Sequence, residues 1–328
     1  MRILFLGSPS FAVHPLNALV QAGYEVVGVV TQPDRPAGRK RILTPPPVKE
    51  AAQSFGIPVF QPESLRGEEA AAPLAALRPD VGVVAAYGEI LRKHIIDLPT
   101  HGYLNIHPSL LPLHRGPAPV TGAILAGENE TGVTIMKLTA KMDSGPILAQ
   151  ATVPLLPTTR SGPLTDELFQ IGAELLVKVI TPYVDGEIEL REQDHSQATI
   201  TRLLKKNDGL LDWRLPALVL ERQTRAFDPW PGAYTMWGDQ RLKVITARVH
   251  QTYTSSYTPL AGSSGNDTVE TAVGTIVAEE EGPLVATGSG ALELVEVLPA
   301  GKRVMSGREW AAGQRGVVGQ QFTPLPTP

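Results

Sequence analysis

The sequence predicts an α/β first domain built on a mainly parallel sheet, followed by a small all-β barrel. Three observations carry this. Up to about residue 153, short β-branched runs alternate with helix-like segments, as strands joined by crossover helices do. From Leu210 onward the runs shorten and are broken by glycine, the texture of a small antiparallel barrel. A chain of 328 residues that is 42% apolar and 19% charged has material for two ordinary cores. The expected division is 1–189 for the first domain, 190–207 for a polar linker and 208–328 for the barrel.

In chain order, the strands expected in the first domain are Arg2 to Leu6, Glu25 to Gln32, Val81 to Tyr87, Tyr103 to His107, Gly132 to Leu138 and Ile147 to Val153. Most are apolar on both alternating faces, as strands covered by helices on both sides must be. Helical segments fall at Phe11 to Gln21, Val48 to Ser54, Gly67 to Leu77 and Ala118 to Ala126. A longer run starting at Ser161, a plausible N-cap, carries apolar residues at helical spacing. In the barrel, "RLKVITARV", "VGTIVAEE" and "PLVATGSGALELVEVL" read as strands. The Ser/Thr/Gly-rich stretch 251–273 reads as a mobile loop between them, and the tail "QQFTPLPTP" as disordered.

Composition removes several function classes. The chain has no cysteine, so disulfides, thiolate nucleophiles and Cys-type zinc sites are excluded, and no histidine or carboxylate spacing suggests another metal. Net charge is -4, from 29 Lys and Arg against 33 Asp and Glu, so any polyanion must be held by a local patch. The opening "MRILFLGSPS" is too short an apolar run for a signal or a membrane span, and a cytoplasmic protein with no membrane association is expected. The first strand-to-helix turn, "FLGSPSF", lacks both the G-x-G-x-x-G and Walker spacings, which disfavours nicotinamide and ATP.

The chemistry gathers at "LNIHPSLLPLHRG" (Leu104 to Gly116). Residues two apart on a strand share a face, so Asn105 and His107 project side by side, and Pro108 keeps His107 extended. Taken alone, the pair also fits a histidine satisfied by a backbone group and an asparagine closing a turn. The loop "TAKMDSGPIL" adds Asp143, and loops following parallel strands gather at one sheet edge, so amide, imidazole and carboxylate are expected to converge. That set suits attack of an amine on an amide-like carbonyl. Asn105 donates to the oxygen, His107 relays protons, and Asp143 orients the ring and favours its cationic form. Ser109 lacks a G-x-S-x-G elbow and is not read as a nucleophile.

With "SLLPLHRG" and "GVTIMKLTAKMDSGPIL", the Asn105, His107 and Asp143 motif resembles the folate-dependent formyltransferases. "TQPDRPAGRKRILTPPPVKEAA", "FDPWPGAYT" and "LPAGKRVMSGREW" resemble the branch that formylates methionyl initiator tRNA, extending the likeness to nearly the whole chain. The resemblance implies a Rossmann-like formyltransferase domain, an OB-like C-terminal domain, 10-formyltetrahydrofolate as donor, no metal, and a monomer. It implies that Asn105, His107 and Asp143 are catalytic and that Ser109, Leu110, Leu111 and Pro112 line the folate site, with Leu111-Pro112 cis. It implies that Arg35, Arg39, Lys40 and Arg41 hold the acceptor stem of the tRNA. Two features sit less easily. Residues 208–328 carry 10 Lys and Arg against 13 Asp and Glu, a balance of 10 - 13 = -3, where a basic tRNA-holding domain is expected. Trp230, between two prolines, reads as a core plug in preference to a base-stacking platform. Formyltransferases acting on amino-sugar nucleotides, 10-formyltetrahydrofolate hydrolases and a silent tRNA- or folate-binding module are the rival readings.

Overall fold

The computed structural model describes residues 1–38, 41–250, 256–257, 269–270, 272–314 and 316–323. The chain divides into two compact units: Met1–Ala123, Glu128–Leu156 and Pro163–Leu203 form one, and Ile124–Gly127, Pro157–Gly162 and Leu204–Pro328 the other. The stretch read as a linker is thus shared between them, with its residues up to Leu203 in the first unit.

In the first unit, β1 (Arg2–Gly7), α1 (Val13–Gln21) and β2 (Glu25–Val30) open the chain. A hairpin follows, β3 (Arg35–Ala37) and β4 (Ile42–Thr44), then α2 (Pro47–Ser54) and β5 (Val59–Phe60). After α3 (Ala71–Ala75) come β6 (Val81–Ala85), α4 (Lys93–Ile96), β7 (Tyr103–His107) and α5 (Pro119–Ala126). The last elements are β8 (Glu130–Lys137), β9 (Ile147–Pro154) and α6 (Ser161–Val184), although the end of α5 from Ile124 and the start of α6 up to Gly162 fall in the second unit. One seven-stranded sheet runs β5-β2-β1-β6-β7-β8-β9. The five strands from β5 to β7 are parallel, while β8 is antiparallel to β7 and to β9. This is the mainly parallel, Rossmann-like sheet that the alternating pattern predicts.

Close packing beneath β7 depends on two glycines. At Gly82 of β6 a Cβ would stand 2.1 Å from the ring of the fully buried Tyr103. At Gly172 of α6 it would stand 2.6 Å from Ile106 and 2.9 Å from Val133, so the absent side chain lets α6 lie directly on β7 and β8. Each apolar side chain buried in these layers contributes about 1.5–3 kcal/mol. The strand that carries Asn105 and His107 is therefore held rigidly from one side.

In the second unit, α7 (Ala217–Ala226) precedes β10 (Tyr234–Trp237) and β11 (Gln240–His250). A short pair, β12 (Ser256–Tyr257) and β13 (Val269–Glu270), lies within the Ser/Thr/Gly-rich stretch, most of which, like the last residues of the tail, is outside the described residues. Then come β14 (Ile276–Glu279), β15 (Pro283–Ala286), β16 (Ala291–Pro299), β17 (Met305–Ser306) and α8 (Gly307–Ala312). The order β10-β11-β16-β15-β14, with β17 beside β16, makes an antiparallel half-barrel. Trp213 and Trp310 stack on Phe322, with ring centroids 5.5 and 5.9 Å from it, and Trp237 meets Trp310 and Phe322 edge-on. Trp230 is 55% exposed, so the core-plug expectation fails: those four rings already fill the aromatic core. The helices α7 and α8 and the β3–β4 hairpin are not among the expected elements; α8 and the hairpin strands are too short for a clear periodic signal, while α7, longer than α1 and α2, is a helix the sequence reading misses.

Candidate active site

All five residues of β7 are buried, and its parallel register with β6 sets Asn105 beside Val84. Pro108 then turns the chain into a loop that is stapled from β8 and β9. Thr134 donates to the Ser109 carbonyl (2.7 Å) and accepts from the Leu111 amide (3.2 Å), while Gln150 donates to the Leu111 carbonyl (2.9 Å). Ser109 is fully buried and its hydroxyl donates to the Leu113 carbonyl at 2.6 Å, so it is occupied within the loop. Leu111 packs with Met136 and Ile147, and Leu110 and Pro112 are half-buried. The Leu111-Pro112 bond is cis.

The loop returns to the strand end at His114, whose φ of 56° aims its carbonyl at the His107 ring. His107 Nε2 lies 3.0 Å from that oxygen. A carbonyl only accepts, so Nε2 carries the proton and Nδ1 of the neutral ring holds a lone pair. Nδ1 lies 3.8 Å from Asp143 Oδ2. Burial pushes the His107 imidazole below its ordinary value; the Asp143 carboxylate and the His114 carbonyl pull it upward but are outweighed, and the neighbouring Arg115 cation reinforces burial. The ring is therefore neutral at pH 7, with its proton-accepting atom turned toward a carboxylate.

The structure brings Asp143 to this ring, but not by the route expected from the sequence. Because β8 is antiparallel to β7, its end does not lie at the edge where His107 projects. Instead the 138–146 loop folds back, and the Gly116 amide catches Asp143 Oδ2 at 2.7 Å. Asp143 adopts the left-handed φ of 45° to make that return. Its side chain is 16% exposed. Asn105 is buried, and among the described residues none hydrogen-bonds its carboxamide, which leaves two donors beside the imidazole for a ligand. His107 and Asp143 thus meet, with Asn105 two residues before His107 on the same strand face.

Sequence reasoning missed the wall behind them. Arg115 is buried, as is Gln193, from the segment read as a linker, and they hydrogen-bond each other through Arg115 Nε and Nη2 to Gln193 Oε1 (3.0 and 2.6 Å). The only available signal was the polar, weakly patterned texture of residues 187–209, which suggests exposure instead.

Of the four cations expected to meet tRNA, Arg35 and Arg41 are exposed on the β3–β4 hairpin, and Arg39 and Lys40 lie outside the described residues. Asp34 at the base of the hairpin accepts from Gln61 (2.7 Å) and Lys49 (2.8 Å), bonds that hold its carboxyl below the usual range. In the second unit, His250, Glu280 and Glu293, from separate segments, bring ligand-type atoms within 4.8 Å of one another, a grouping that linear spacing does not reveal. Arg248 already pairs with the fully buried Glu293 there.

A profile of the formyl transferase family matches residues 1–180, and one for the formyl transferase C-terminal domain matches residues 203–315. The methionyl-tRNA formyltransferase of Chloroflexus aggregans is 63% identical over 315 residues, covering 95% of this chain and 97% of that relative. That of Herpetosiphon aurantiacus is 55% identical over 317 residues, covering 97% and 99%. Among solved structures, the N-formyltransferase of Helicobacter canadensis in complex with folinic acid and dTDP-3-aminofucose has a TM-score of 0.63 at 16% identity, over 89% of this chain and 98% of that one. HypX from Aquifex aeolicus in complex with tetrahydrofolic acid has a TM-score of 0.60 at 18% identity, over 100% of this chain and 50% of that one. At such identities the structural likeness speaks to fold alone. The chain belongs to the formyl transferase family, among the methionyl-tRNA formyltransferases.

Proposed function

We propose that this chain transfers the formyl group of 10-formyltetrahydrofolate to the α-amino group of methionyl initiator tRNA, using Asn105, His107 and Asp143. The observation that carries the reading is the buried His107, with Nε2 on the His114 carbonyl and Nδ1 3.8 Å from Asp143, and the unpartnered Asn105 amide on the same strand face. A neutral imidazole with a free lone pair can take the proton that the attacking amine sheds. The imidazolium so formed gains Nδ1–H, which is directed at Asp143. The Asn105 amide donates to the formyl oxygen as charge develops on it, and the proton on His107 returns to the leaving nitrogen of the folate. The formyl carbon thereby exchanges one carbon–nitrogen bond for another, with no net change in protons on the enzyme.

The 109–112 stretch, held by Thr134 and Gln150, supplies a stiff apolar wall for the pterin through its half-buried Leu110 and Pro112. Residues 1–189 then act as the catalytic domain, 190–207 as the connection and 208–328 as a second tRNA-holding domain. Arg35, Arg39, Lys40 and Arg41 meet the acceptor stem through its phosphates. We assign a monomeric, metal-independent enzyme of the cytoplasm. No helix among the described residues is long and apolar enough to cross a membrane.

The test is direct: the purified chain is incubated with 10-formyltetrahydrofolate and methionyl initiator tRNA, and the ester-linked product is released and assayed for N-formylmethionine. Formation that requires both substrates supports the proposal. Failure to form it, or formylation of an amino-sugar nucleotide in its place, overturns it.

A further inference from the structure

The segment from Arg191 to Thr201 crosses the back of the site and is tied to it at both ends. At one end the Arg191 and Ile147 backbones exchange a pair of hydrogen bonds, 2.8 and 3.0 Å, just where the Asp143 loop enters β9. At the other, the Arg115 amide donates to the Thr199 carbonyl (2.9 Å) and the Thr201 amide donates to the Arg115 carbonyl (2.7 Å). Between these ties stands Gln193, 6% exposed. Its Nε2 donates to the carbonyls of Asp143 (3.0 Å) and Gly145 (2.6 Å), while its Oε1 accepts twice from Arg115.

Both ends of this amide are chemically determined. Arginine can only donate and peptide carbonyls can only accept, so the oxygen must face Arg115 and the nitrogen must face the loop. Both N–H groups and both acceptor positions are then used. No other side chain of this length offers two donors at one tip and two acceptor sites beside them: glutamate would set an oxygen against two carbonyls, and methionine would satisfy neither side. The loop it holds needs such a clasp, since Asp143 sits at a left-handed φ and its carboxylate is caught by the amide of Gly116, the residue after Arg115. A single side chain thereby fixes the backbone of Asp143 and, through Arg115, the strand of loop that binds its carboxylate.

We infer that Gln193 is a positioning residue for the formyl transfer, setting the separation of Asp143 from His107 by clasping the Asp143 turn to Arg115. This rests on the assignment of Asp143 and His107 as the reacting pair. The consequence is that a residue in the chain leading to the second unit controls kcat without touching either substrate.

The test compares Gln193→Met, Gln193→Glu and Asp143→Asn in the full-length protein, with kcat, both KM values, the pH profile of kcat and the thermal midpoint measured for each. Displacement of a reacting group by about 1 Å costs on the order of 100-fold, so Gln193→Met is expected to lower kcat at least about tenfold while each KM stays within about twofold. Its acid limb should move to lower pH, because His107 loses part of the carboxylate that favours its protonation. In the Asp143→Asn background the same change should cost less than about threefold, since it acts through Asp143. Gln193→Glu, which keeps the Arg115 pair and repels the two carbonyls, should lose kcat similarly and serves if the methionine variant does not fold. Loss of activity only in proportion to lost folded protein, with an unmoved acid limb, overturns the inference, as does full activity of either variant. Full activity of Asp143→Asn would instead overturn the assignment beneath it.

Discussion

Replacing Asp143 with asparagine isolates the charge of the carboxylate from its shape. The Asn Oδ1 can still accept from the Gly116 amide, as Asp143 Oδ2 does at 2.7 Å, so the turn is retained. What is lost is a negative charge 3.8 Å from His107 Nδ1 at the moment the ring becomes cationic. At an effective dielectric of about 20, a unit pair at that distance interacts by roughly 4 kcal/mol, an upper figure for a carboxylate that is partly exposed. A net loss of about 3–4 kcal/mol in the transition state corresponds to a kcat lower by roughly 100- to 1,000-fold. The assay is single-turnover formylation of methionyl-tRNA at saturating enzyme, quenched over time, with the thermal midpoint recorded alongside. A kcat within about threefold of the parent, in a variant of unchanged midpoint, would refute the idea that Asp143 supports a cationic His107.

Further expectations follow from the same geometry. Asn105→Ala should lower kcat by about 100- to 1,000-fold with little change in the thermal midpoint, as removal of a donor to a developing oxyanion does, and a purely KM effect would count against it. Since burial depresses His107, the acid limb of kcat/KM should fall below pH 6.5; the native state withholds a proton that the unfolded chain takes up there, so stability should also decline as pH drops from 6.5, and a limb at or above that value would contradict the burial argument. The pair Arg35→Ala and Arg41→Ala should raise KM for tRNA far more than for folate, with the tRNA KM becoming less sensitive to salt; equal effects on both substrates would contradict it. Gly82→Ala should destabilise the first unit by about 1–3 kcal/mol by forcing Tyr103 aside, read as a lowered thermal midpoint.

The sheet was legible in the sequence because β-branched runs such as Val81–Ala85 need no tertiary information to declare themselves. Asn105 and His107 were legible for a related reason: period-two geometry places them together wherever the strand lies. The arrival of Asp143 was anticipated with a faulty reason. The strand direction of β8 is set by pairing, which its composition does not encode, and the loop had to fold back to reach the same point. Gln193 was invisible, since a glutamine in a polar stretch carries no mark of being buried until its partners are known. Trp230 misled because two prolines suggest confinement, whereas the aromatic core was filled by rings at 213, 237, 310 and 322.

The group that orients the His107 ring is the peptide oxygen of residue 114, held there by a left-handed backbone. Replacing the side chain at 114 would break the 2.7 Å contact of its ring with Glu128 but cannot delete that oxygen, so it leaves the His107 tautomer intact. What the tautomer requires is a torsion angle. Glycine or asparagine should be tolerated there, while valine or isoleucine, which resist that conformation, should swing the carbonyl away and leave the imidazole free to present either nitrogen. The choice of tautomer is thus written in the main chain, and the side chains bear on it only through which of them allow the chain to bend that way.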